Sequence, residues 1–294
     1  MNSKSINRYV LTLYAVSWAI QLLTIYTSKV LKLEDTRMWL LAGTMLTPTI
    51  ITLLFLRRNP EWRSYLLLKP NRHLLSMSFW SIVSHSVLAF GTVFMVLQLN
   101  WGTHPWFHFS WQGVEILGGP WVLGKGPQSW LFFLGNGLAT ALVFALLNGV
   151  VAAGEEFAWR GFLQNVLIEK LGLNKALLLT GLIWSFWHLP IFLAGHNEPE
   201  YPVLGAFILA PIRLVALSFF WGWLTLRCRS FIPAALAHAA LNSIQEGVVG
   251  NLELSVGTIN RDVLVLILTI GLGVWGALML RKDKLYGVNT LGYK

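Results

Sequence analysis

The sequence predicts an all-α polytopic transmembrane bundle of about eight spanning helices, and three observations predict it. Of 294 residues, 55% are hydrophobic and only 12% charged, half the roughly 25% of an ordinary soluble domain. A chain so poor in charge has no means of covering itself in water, so lipid is its solvent. Eight apolar stretches reach the roughly 17–25 residues that cross a hydrocarbon core: 9–27, 38–56, 74–99, 129–153, 175–194, 203–226, 231–249 and 263–280. The third observation is that the basic residues alternate between the segments joining these stretches.

With the N-terminus in the cytoplasm and strict alternation, sixteen Lys and Arg residues fall on the cytoplasmic side, from Lys4 and Arg8 to Lys284 and Lys294. Five face the other way (Lys29, Lys32, Arg37, Lys125 and Arg261), and Arg213 lies within a span. A three-to-one bias of this kind places both termini in the cytoplasm. The formal charge of +9 is therefore topology information. No basic stripe interleaved with aromatics is present, so a nucleic-acid partner is not expected. The eight amino acids before the first span are too few for a cleaved leader, and that span reads as retained. With no repeats or low-complexity tracts, residues 1–294 read as a single integral membrane domain, its chemistry concentrated over about 129–249.

One cysteine, Cys228, excludes an internal disulfide and multi-cysteine metal clusters, and reads as packing. The longest outward-facing stretch, 100–128, is rich in Trp, Gly and Pro. Its tryptophans, among them Trp101, Trp106, Trp111 and Trp121, suit a lid in the headgroup layer. His104 and His108 sit four apart there, but Pro105 between them argues against a shared helical metal face.

Ionisable groups at membrane depth cost at least about 2.5–3.5 kcal/mol each, so where they persist function is the first hypothesis. Three clusters qualify. In GEEFAWRGF, Glu156 and Arg160 are four apart with the acid first, the favoured order for an intrahelical ion pair. Glu155 points about 100° away and is left facing something else; the plain alternative is a solvated charge pair at a helix end. In GLIWSFWHLPIF, His188 lies 13 residues beyond Lys175, roughly 20 Å along a helix, just before a Pro190 that should loosen it. A lone buried histidine is often only a structural hydrogen-bonder. In FIPAALAHAALNSIQEG, His238 and Asn242 share a helix face that Gln245 extends, among alanines that permit close packing; polar interhelical glue is the alternative. Helix directions put all three clusters towards the cytoplasmic half of the membrane. Arg213, beside Pro211, either meets a substrate carboxylate or pairs structurally with one of the glutamates, and pairing is favoured.

These clusters resemble the CPBP family: the CAAX endopeptidases of the Ras-converting kind and their bacterial Abi and bacteriocin-immunity relatives. The family pattern Glu-Glu-x-x-x-Arg is complete from Glu155 to Arg160, and His-x-x-x-Asn is complete from His238 to Asn242. The middle motif, Phe-x-x-x-His, departs, because Trp184 stands four before His188 and Phe186 only two before it. The resemblance implies an intramembrane endopeptidase acting on a membrane-associated or lipidated, possibly prenylated, peptide. By the same resemblance Glu155 and His188 activate water, and His238 with Asn242 holds the oxyanion. Glu156 and Arg160 then orient the helix behind them. No cofactor is expected: the family is often described as metalloproteases and zinc is possible, with Glu155, His188 and His238 as its ligands, but an amide such as Asn242 suits an oxyanion better than zinc. Membrane lipid and a hydrophobic peptide are the expected partners, and the expected location is the cytoplasmic membrane of a prokaryote with the site opening inwards. A non-catalytic immunity or scaffold protein of the same fold is the alternative. A transporter fits less well, since no matching broken segments recur in two halves.

Overall fold

The computed structural model describes residues 1–285, with 34–38 described in backbone only. The charges expected to set topology at Lys294 and at the Arg37 side chain lie outside the described residues.

The described chain is helical, with two small sheets on one end. Helix α1, Ser3–Ile25, starts where the Asn2 side chain accepts from the Ser5 amide, and runs into a wider turn at Tyr26–Val30. Helix α2 is Glu34–Arg58 and α3 Leu74–Gln98. Ser129 caps α4, Trp130–Ala158, which passes through a wide π turn at Trp159–Leu163 into α5, Gln164–Leu171. Then follow α6, Leu173–Trp187; α7, Leu189–Leu193; α8, Pro202–Leu204; and α9, Ala210–Cys228. The chain closes with α10, Ile232–Ala240; α11, Glu246–Val249; and α12, Thr258–Lys282.

Among the described residues, six helices are long and apolar enough to cross a bilayer: 3–30, 39–58, 74–98, 130–171, 202–228 and 258–282. Of the other two expected spans, 175–194 is broken at His188, and 231–249 is helical from Ile232 to Val249 through a π turn. Both depart from a regular α-helix at their motif residues. The Pro190 ring excludes a regular helix through the carbonyl four residues earlier, so α6 stops at His188 and α7 restarts beyond it. In the other, α10 opens into a π turn, Leu241–Gln245, that contains Asn242 before α11 resumes. Wide turns of this kind are rare and tend to occur at functional positions.

Helix α9 is the hub, packed by α6, α10 and α12, while α10 also lies against α4 and α3. Close approach to α9 depends on glycine: a Cβ on Gly181 of α6 would lie 2.6 Å from Val215 Cα, and one on Gly276 of α12 would lie 2.5 Å from Phe220 Cα. Buried apolar side chains of α1, α2, α6 and α9 form one core around the motif region. A second core, under the outer loop, joins α3, α4 and the 239–252 stretch.

The outer loop, expected as an irregular lid, contains a three-stranded antiparallel sheet of β2, Phe107–Phe109; β3, Val114–Ile116; and β4, Gly126–Gln128. Strand β1, Gly102–Thr103, pairs with β5, Glu253–Leu254. The signal was in the sequence: Phe107-His108-Phe109 and Val114-Glu115-Ile116 alternate with the period of a half-buried strand, and Phe107, Val114 and Ile116 are buried. Trp111 and Trp121 are 100% and 84% exposed, as side chains seated in a headgroup layer would be.

His104 pins this sheet to the helical body. Its Nε2–H donates to the Val248 carbonyl at 2.9 Å, and its Nδ1 accepts from the Trp106 amide at 3.0 Å. His108 instead lies on the exposed face opposite Glu115, so the two histidines do not face one another. Burial holds the His104 imidazole below its ordinary range, and a proton on Nδ1 would break the Trp106 bond. A lowered folded value means that the neutral ring contributes stability at neutral pH, which is lost as pH falls below about 6.5. Acidification from pH 7.5 to 5 should therefore speed amide hydrogen exchange across 101–128 more than across the helices. His104→Asn should abolish that differential acid response.

Candidate active site

The three polar clusters meet around one layer of indole rings. Helix α4 delivers Glu155 and Glu156 at its last turn, both essentially unexposed. The π turn that follows places Arg160 inside the bundle with no exposed surface. That turn needs extra support, because widening a helix misaligns its carbonyls. Asn165 supplies it: Nδ2–H donates towards the carbonyls of Arg160 (3.2 Å), Gly161 (3.0 Å) and Tyr65 (3.1 Å). Leu67 also closes on Gly161 O at 3.2 Å.

Arg160 Nη1 lies 2.9 Å from Glu156 Oε1. Its guanidinium also covers the faces of Trp184 and Trp221, at 4.3 and 4.9 Å from the ring centroids. Placing a desolvated cation on two indole faces is worth about 2 kcal/mol. The same Glu156 oxygen accepts from His238 Nδ1–H at 3.0 Å. Glu156 thus bridges two cationic or potentially cationic groups from separate elements.

Glu155 faces a different set. Its Oε2 accepts from the indole N–H of Trp184 at 2.8 Å and of Trp159 at 3.3 Å. Its Oε1 accepts from no described residue and is not among the sealed polar atoms. The two neighbouring carboxylates therefore have separate surroundings: one belongs to an ion-paired frame, the other to a pair of neutral donors with one oxygen left open.

His188 sits at the break between α6 and α7, where it is half-buried. Its Nδ1–H donates to the Trp184 carbonyl at 3.0 Å, so the neutral ring presents a lone pair at Nε2. Phe192 stacks on it at 5.0 Å and Trp187 meets it edge-on at 4.5 Å. His238 is stacked on Trp221 at 5.2 Å and meets Trp184 edge-on at 5.4 Å. Asn242, half-buried in its π turn, makes no hydrogen bond among the described residues. Gln245 is buried, with its Oε1 unpartnered.

Among the described residues no group of three metal-capable side chains converges closely enough to hold an ion. Glu155 Oε1 and the Nε2 atoms of His188 and His238 are the atoms each residue would offer an ion, the other polar atom of each being committed to a protein partner. Arg213 pairs structurally, but with a glutamate other than those of the motif: its Nη2 lies 3.1 Å from Glu198 Oε1, from the segment between α7 and α8. Cys228 is buried.

Two features were not read from the sequence. His85, in the middle of α3, is fully buried; its Nδ1–H donates to Ser81 O at 2.9 Å, and its Nε2 accepts from Trp221 Nε1–H at 3.2 Å. A histidine in mid-span was signal enough to find it. Trp184, Trp159 and Trp221 look like core residues in a chain with 15 tryptophans, and nothing local distinguishes the indoles that reach the carboxylates.

Residues 130–244 match a protein-family model described as Type II CAAX prenyl endopeptidase Rce1-like. A curated relative from Methanococcus maripaludis, named CAAX prenyl protease 2, is 30% identical over 110 residues, covering 36% of this chain. The matched segment spans 40% of that relative's length. The family-model match falls on the helices that carry the three clusters.

Proposed function

We propose that this chain is an intramembrane glutamic endopeptidase of the Rce1-like CAAX kind, whose family model matches residues 130–244. Its substrate is a membrane-associated peptide, lipidated and of the prenylated CAAX type, cleaved by water. The observation that carries the reading is the division of labour between adjacent carboxylates: Glu156 is bound into the ion pair with Arg160, while Glu155 keeps one oxygen open in a desolvated, indole-lined recess.

In this reading a water hydrogen-bonded to Glu155 Oε1 attacks the scissile carbonyl and gives that oxygen its proton. A carboxylate away from bulk water is a more effective base than a solvated one. His188 Nε2, its tautomer set by the Trp184 carbonyl, relays the proton to the departing amine. The oxyanion is stabilised by the Asn242 amide and by His238 Nε2. The latter donates when His238 is imidazolium, with Glu156 as its counterion. No step passes through a metal. The exposed Trp111 and Trp121 seat the outer sheet in lipid headgroups, and the basic bias orients the site towards the cytoplasm of a prokaryotic cell.

Purified protein presented with matched prenylated and unprenylated CAAX peptides tests the reading. Cleavage of the prenylated set at a rate unaffected by a strong chelator is expected. Turnover abolished by chelation and restored by zinc would replace the metal-free mechanism.

A further inference from the structure

We infer that Trp184 is a positioning residue that holds the water-activating carboxylate and the proton-carrying imidazole in a single frame, a role resting on the reading above. One residue makes both connections. Its indole N–H donates to Glu155 Oε2 at 2.8 Å, and its backbone carbonyl accepts from His188 Nδ1–H at 3.0 Å. Glu155 comes from α4 and His188 from the end of α6, so no local geometry relates them; Trp184 does.

The indole is itself held rigidly. It is 1% exposed, carries the Arg160 guanidinium over its face at 4.3 Å, and packs on Trp221 at 5.1 Å and His238 at 5.4 Å. A ring clamped on several sides delivers its N–H in one direction without paying rotamer entropy at each turnover. Two indoles donating to the same oxygen also settle which oxygen reacts: Oε2 is saturated and Oε1 is left for water. Trp159 is the weaker donor, at 3.3 Å; its ring meets Trp187 of α6 edge-on at 5.9 Å, but its N–H bond to Glu155 stays within one chain segment and reaches no part of His188. A phenylalanine at this position would have no N–H to offer Glu155.

The test isolates the N–H. Replacing Trp184 by 3-benzothienylalanine keeps the bicyclic ring and exchanges the donor for sulfur; Trp184→Phe is the genetically simple companion, and Glu155→Gln the reference. Cleavage of a prenylated peptide and heat stability in detergent are measured for each. Loss of a hydrogen bond to a charged group predicts a kcat lower by about 10- to 100-fold in the benzothienyl protein. KM should stay within about twofold, and the melting temperature close to the parent's, because the ring still fills its site. Trp159→Phe should cost less. Parent-like kcat in the benzothienyl protein beside a dead Glu155→Gln overturns the role of Trp184 alone, as does a loss explained wholly by unfolding or by KM. A Glu155→Gln protein that turns over like the parent overturns the proposed function instead.

Discussion

Glu155→Gln should lower turnover at least about 1,000-fold while leaving the protein folded, the range expected when a positioned general base is removed. The substitution is chemically narrow. The glutamine carbonyl oxygen is in place to accept from Trp184 and Trp159 as Oε2 does, and no ion pair is broken, because Arg160 and His238 engage Glu156. A base is removed and little else changes. His188→Ala should be comparably inactive, since it deletes the group proposed to carry the proton to the amine. Single-turnover cleavage, normalised to folded protein by size-exclusion chromatography, separates this result from poor expression. A scaffold without chemistry would tolerate Glu155→Gln in any cellular assay, and undiminished cleavage would end the glutamic-base mechanism.

The second large effect falls on the adjacent residue and has the opposite character. Glu156→Gln should act mainly on folding. Glu156 is the one described acceptor for the Arg160 guanidinium, which has no exposed surface and whose Nε and Nη2 have no hydrogen-bond partner among the described residues. Neutralising one member of a buried pair leaves the other charge uncompensated, at about 3–5 kcal/mol. The expected result is a large drop in melting temperature and in recovered monodisperse protein, with cleavage per folded molecule reduced less than in Glu155→Gln. Glu156→Gln combined with Arg160→Met should recover much of the lost stability, because no charge is then stranded. A single mutant as stable as the parent would show that Arg160 is compensated by some other means.

These two adjacent carboxylates also mark how far the sequence could be read. Their spacing to Arg160 predicted which would be ion-paired, because a four-residue offset on a helix is a local fact; the pair is present at 2.9 Å even though Arg160 lies in a π turn. What Glu155 would face could not be read locally. Its strongest partner, Trp184, is 29 residues away, and its identity depends on how α6 leans on α4 and α9. The expectation that His238, Asn242 and Gln245 form one continuous stripe assumed a regular α-helix. Leu241–Gln245 is instead a π turn, and nothing in LNSIQ announces the extra residue. Hydropathy, which counted eight stretches, measures transfer to lipid and does not register that one of them is broken at Pro190.

Composition and hydropathy by themselves determined that this is a helical chain with membrane-spanning segments, and the ordered motifs marked the acids, histidines and amide proposed to carry its chemistry. Those are properties of residue type and short spacing, governed by solvation and helix periodicity. Tertiary structure alone decided that a layer of indoles joins the motifs, that Arg213 pairs with Glu198 and not with the motif acids, and that the helix breaks at His188 and widens at Asn242. Contacts between elements far apart in the chain depend on packing, and packing has no periodicity for a sequence to display.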